Sequence, residues 1–269
     1  MPPRPPAAAR PSGAVRSGAA RSRGPLRTYW HLSRAPRYAL LFALPLLVAY
    51  EGLAALAGDA AGASLRNGAD VWLKSPFVAL LGPRGPVAFG ALVVGGAALL
   101  VWRDVRRTHD GVRGRVLLAM LAESAALAVA CGAGVSAATG LVLRVLAVAP
   151  PGDRVAALGA PARLMLSLGA GLYEELLFRV VLVGALAALA RRALGFGPRA
   201  AGALAVVLGA LLFSAAHYVG AYGDPLTLES FVFRAIAGLF FSALYLVRGF
   251  GITAWTHALY DVGVLVLAG

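Results

Sequence analysis

The chain is poor in the residues that most soluble proteins use for surface and redox chemistry. One cysteine, Cys131, stands among 269 residues. That excludes an intrachain disulfide and any multi-cysteine metal site, and its apolar surroundings read as those of a small buried hydrophobe. Lys74 is the only lysine among 25 basic residues, and arginine serves topology and lipid attraction equally well. Charge of either sign is scarce at 14 %, with 12 acidic residues and 4 histidines. Disordered, fibrous and small soluble classes are excluded by that scarcity together with what is abundant, since 59 % of the residues are apolar and the mean hydropathy is +0.77. Long runs between Tyr38 and Leu267 carry one charge or none, which is the composition of a protein that crosses a bilayer several times.

The net charge of +13 is local, because eight arginines fall in the first 37 residues with no acid to offset them. Beside a membrane segment such a tail is a topology signal and an attraction to anionic lipid, and no aromatic-interleaved module accompanies it, so nucleic acid is not the expected partner. Residues 1–36, rich in Pro, Ala, Gly, Ser and Arg, read as a disordered cytoplasmic arm, and residues 37–150 as N-terminal transmembrane helices. The expected fold is all-α, a polytopic bundle of about seven to eight transmembrane helices. The spans run near Tyr38–Gly58, Pro86–Trp102, Val116–Leu146, Ala162–Ala190, Ala200–Val219, Ser230–Val247 and Ile252–Ala268, with Val71–Leu81 as a re-entrant or interfacial eighth segment. Arg103, Arg106, Arg107, Arg113, Arg115, Arg191, Arg192, Arg199 and Arg248 share the side of the arm, which sets the N-terminus in the cytoplasm of a bacterial inner membrane. Gly132, Ser136 and Gly140, four apart, form a small-residue stripe expected to pack against another helix.

Ionisable groups at membrane depth cost about 3 kcal/mol each on the insertion scale, so each asks for a partner or a purpose. Here they cluster. The fourth span reads Gly171-Leu-Tyr-Glu174-Glu175-Leu-Leu-Phe178-Arg179. Four-residue spacing stacks Glu175 on Arg179, while Glu174 is turned away and left without a local cation in a low-dielectric setting, suited to general-base work. The fifth span adds His217, and the seventh adds His257 and Asp261, four apart on one face. Two histidines and one or two carboxylates can activate a water directly or through a zinc-type divalent ion held by Glu174, His217, His257 and Asp261. Taken singly, His217 reads as a packing histidine and Glu175–Arg179 as a structural pair; together they read as a hydrolase site. Glu51, Glu123, Arg144 and Arg234 lack a partner at helical spacing and are expected to be interfacial, snorkelling or packing-paired.

Glu-Glu-x-x-x-Arg, Phe-x-x-x-His and His-x-x-x-Asp on successive membrane helices resemble the CPBP intramembrane proteases, which include the type II CAAX prenyl endopeptidases. The resemblance makes residues 151–269 the catalytic core. It implies a membrane endopeptidase in which Glu174 and His217 activate water, His257 and Asp261 complete the site, and Glu175 and Arg179 support it. Its members are described both as glutamate-dependent and as metal-dependent, and the implied substrate is a protein or peptide near a membrane-embedded or lipidated end. Prenyl-processing members carry Asn where this chain has Asp261, which is therefore expected to orient His257 rather than donate to an oxyanion. Two readings compete: a proton-coupled transporter, which predicts inverted repeats that the halves do not show, and a non-catalytic scaffold or immunity protein.

Overall fold

The computed structural model describes residues 25–58, 66–146, 159–220 and 223–267, and every element among them is helical. Five stretches are long and apolar enough to cross a membrane: Pro36–Leu56, Gly68–Thr108, Gly114–Val145, Pro198–Ala216 and Leu228–Arg248. The protein is a multi-pass integral membrane protein built as a helical bundle. Most of the expected disordered arm, and the expected boundary at residue 150, lie outside the described residues. Pro25–Ser33, assigned to that arm by composition, is instead a helix, α1.

Helix α2 (Pro36–Leu56) starts on a proline, whose missing N–H costs nothing at a helix start, and continues through Pro45. Next come α3 (Gly68–Leu81) and α4 (Gly85–Thr108). Positive φ at Gly82 breaks the helix between them, and Phe77 and Phe89 meet at 5.4 Å between ring centroids. A straight helix would hold those rings about 18 Å apart, so the chain folds back here. At 14 residues α3 is about 21 Å long, short of a hydrocarbon core, in keeping with the expected re-entrant or interfacial segment.

Arg37, Arg113 and Arg248 meet at one end of the bundle. Arg37, at the start of α2, binds Asp104 at 2.8 Å and Thr108 at 2.7 Å at the end of α4. The Arg113 backbone N–H, at the start of α5 (Gly114–Val145), donates to the Tyr38 hydroxyl at 3.0 Å. Arg248 closes α9 (Leu228–Arg248), binds Glu123 through two bonds of 2.6 and 2.7 Å, and lies 4.1 Å over the Trp30 ring, tying α1 down. Glu123 and Glu51 are packing-paired, as expected, by residues from other helices; Arg234 pairs with Asp224, and Arg144 is exposed.

The small-residue stripe is not the packing face of α5. Ser136 is exposed and a Cβ on Gly140 would meet nothing, while the buried face is Met120, Ser124, Ala128, Cys131, Val135, Thr139 and Leu143. That face has the same spacing but larger side chains, so the contact rests on buried volume rather than close backbones. Close approach occurs elsewhere. A Cβ on Gly251 would stand 2.7 Å from the Ala39 carbonyl oxygen, and one on Gly171 2.5 Å from that of Ala254. These glycines bring α10 (Phe250–Asp261) against α2 and against the segment that carries the two glutamates.

That segment departs from the expected α-helix. Between α6 (Ala160–Gly169) and α7 (Gly184–Arg192), residues Ala170–Val183 form a π-helix, whose wider turn suits functional sites because it re-aims side chains. The last helix likewise ends in a π turn, Val262–Leu267.

Candidate active site

Glu174 and Glu175 lie side by side on the π segment but face different helices. Glu174 points to the end of α8 (Pro198–Ala216), where His217 is the C-cap residue rather than a helix-interior one. The His217 Nδ1 lies 2.8 Å from the Phe213 carbonyl oxygen. A carbonyl only accepts, so Nδ1 carries the hydrogen and Nε2 is left as the ring's acceptor. That Nε2 stands 3.9 Å from Glu174 Oε2, too long for a hydrogen bond and a gap that one water spans. Both side chains keep some access, 24 % exposed for His217 and 12 % for Glu174. Phe213, edge-on to both Phe178 and His217, forms the apolar wall beneath them.

Glu175 points the other way and is fully buried. Its Oε1 accepts from His257 Nδ1 at 2.7 Å, and its Oε2 lies 3.3 Å from Arg179 Nε. Glu175 and Arg179 keep the four-residue spacing, but their ion pair lacks hydrogen-bonding geometry and no Arg179 nitrogen has a hydrogen-bond partner. The guanidinium instead lies 4.3 Å over the Phe213 ring and 5.7 Å from that of Phe241. The His257 ring stacks on Phe241 at 4.2 Å.

The expected role of Asp261 changes. His257 donates its Nδ1–H to Glu175, and Asp261 Oδ2 lies 3.7 Å from Nε2, beyond hydrogen-bond reach. The spacing of His257 and Asp261 puts them on one face, yet the partner that reaches the ring comes across from another helix. The two histidines need not touch, because neighbouring glutamates reach one each.

Sequence reasoning missed Asn67. It caps α3, its Oδ1 accepting from the Ala69 N–H at 2.9 Å, and its Nδ2 donates to Glu174 Oε1 at 2.8 Å. Behind it Glu51 binds Arg66, Lys74 and the Tyr173 hydroxyl, and Asp70 binds Arg66, Lys74 and the Tyr50 hydroxyl. The single lysine, uninformative in the composition, thus belongs to this network.

Of the four candidate metal ligands, Glu174 Oε2 lies 3.9 Å from His217 Nε2 and Asp261 Oδ2 3.7 Å from His257 Nε2. Among the described residues no group of three or more His, Cys, Asp or Glu is arranged to hold a metal ion. As arranged, these donors do not fit a divalent ion.

Residues 156–263, which include both glutamates and both histidines, match the family model described as Type II CAAX prenyl endopeptidase Rce1-like. That stretch is similar to an Rce1-like domain. Searches of curated proteins and of solved structures each found no match. The Rce1-like domain, set in a bundle of apolar helices, supports an intramembrane endopeptidase in general terms. Asn67 and its bracing network, apart from Tyr173, lie outside the matched residues.

Proposed function

We propose that the protein hydrolyses a peptide bond near a prenylated or otherwise membrane-anchored end of its substrate, with a water activated by Glu174 and His217. One observation carries the reading: the gap between Glu174 Oε2 and His217 Nε2, two acceptors 3.9 Å apart with partial access. A water there donates one hydrogen to each acceptor and turns a lone pair outward. Its oxygen attacks the scissile carbonyl carbon, and a carboxylate takes the proton. The proton then passes to the leaving nitrogen as the C–N bond breaks.

The buried set has a different task. With Nδ1–H held by Glu175, the His257 ring is fixed in orientation, and its Nε2, when protonated, serves as donor to the oxyanion. Arg179 balances the Glu175 charge and rests on aromatic faces. The arginine-bearing end of the bundle faces the cytoplasm under this proposal, with membrane lipid as the surrounding partner.

The test is cleavage by the full chain in lipid vesicles of an internally quenched peptide ending in an S-farnesylated CAAX sequence, beside one carrying an S-acyl chain. Wild type is expected to cleave at least one of them and, in H2 18O, to place a single 18O in the new carboxyl group. Glu174→Gln is expected to cleave neither. Cleavage by Glu174→Gln at the wild-type rate contradicts the assignment.

A further inference from the structure

We infer that Asn67, from a region the Rce1-like match does not cover, is a positioning residue that fixes the rotamer of Glu174; this rests on the reading of Glu174 as general base. All of Asn67's donor and acceptor groups that face the interior are engaged. Its backbone N–H donates to the Tyr50 hydroxyl at 3.1 Å, and its Oδ1 accepts from Ala69 N–H. The second bond decides which way the amide faces: oxygen is required towards Ala69, so nitrogen is required towards Glu174. Asn67 is 7 % exposed. Its Nδ2–H ties up Oε1 at 2.8 Å, leaving Oε2, the oxygen nearer His217, to meet the water.

The surroundings make this hold rigid. Tyr50, which receives the Asn67 N–H, donates to Asp70 at 3.0 Å, and Asp70 is held by Arg66 at 2.8 Å and Lys74 at 2.6 Å. Gly169, just ahead of the π segment, permits the approach: a Cβ there would stand 2.8 Å from Asn67 Cβ and 2.6 Å from the Tyr50 ring. A side chain at 169 would push α3 and the glutamate-bearing segment apart. The N-terminal helices therefore complete a site whose reacting groups all come from the C-terminal domain.

A cap and a positioning residue make different demands on position 67. Serine and aspartate both cap helices well, so Asn67→Ser and Asn67→Asp keep the bond to Ala69 N–H. Serine is too short to reach Glu174, and aspartate sets a second carboxyl against it. The experiment uses the full chain in lipid vesicles and needs no substrate for its first readout: the infrared carboxyl band that Glu174→Gln removes. That band is expected to shift in both Asn67 variants while helix content and melting temperature hold. With the peptide cleaved in the preceding test, kcat is expected to fall about 10- to 100-fold with KM little changed. An unshifted Glu174 band, or unchanged kcat in both variants, overturns the positioning role. A Glu174→Gln chain that cleaves like the wild type instead overturns the general-base reading, and the band shift then stands apart from it.

Discussion

Two adjacent glutamates on one π turn occupy opposite environments. Glu174 keeps partial access, meets its histidine across a water-sized gap, and has one oxygen tied by Asn67. Glu175 has no access, bonds its histidine directly at 2.7 Å, and shares a buried pocket with Arg179. Identical side chains thus differ because the wide turn aims one at the mouth formed by the end of α8 and the other into the packed interior against α10. The gap suits chemistry, since a reactant must enter it; the closed contact suits structure, since opening it strands a buried charge.

The comparison can be broken most sharply at its open half. Glu174→Gln should lower cleavage of the prenyl peptide by about 10²- to 10⁴-fold, the span that a general base contributes, while the melting temperature stays near wild type. Loss of fold in that variant would erase the distinction between the two glutamates. His217→Gln should show the same pattern with a smaller loss, because Glu174 remains to accept a proton. At the closed half the order of effects reverses. Glu175→Ala leaves Arg179 and His257 without their shared anion and should cost about 3 to 5 kcal/mol of stability, read as a marked fall in the melting temperature in detergent. Asp261→Asn should do least, because Asp261 Oδ2 lies 3.7 Å from His257 Nε2, beyond hydrogen-bond reach, so cleavage should stay within about fivefold of wild type. A large loss there would restore Asp261 as the group that orients His257.

Much of this site is legible in the sequence, and the illegible part has a physical pattern. Glu174, Glu175, Arg179, His217, His257 and Asp261 stand out because charge is rare at membrane depth. Glu175–Arg179 follows from helical spacing. The His257–Glu175 bond does not, because its partners are 82 positions apart and the nearer carboxylate, Asp261, offers a local reading that the packing overrides. Asn67 is harder still: 107 positions from Glu174, it looks locally like an ordinary helix cap, which it also is. The π-helix is hidden because Ala170–Val183 has the composition of any apolar α-helix, and only the contacts with α8 and α10 reveal its wider turn. Arg37, Arg113 and Arg248, by contrast, are placed by sequence at span ends and do meet at one end of the bundle, since charges at span ends do not depend on which helices neighbour one another.

The central claim, that Glu174 drives proteolysis, is tested most directly by mapping protein termini by mass spectrometry in membranes of cells that carry wild type or Glu174→Gln at matched expression. The account predicts a set of new C-termini near membrane-anchored ends that is present with wild type and missing with Glu174→Gln. Identical termini in both, with the variant folded in the membrane, would contradict it and favour a transport or scaffold role.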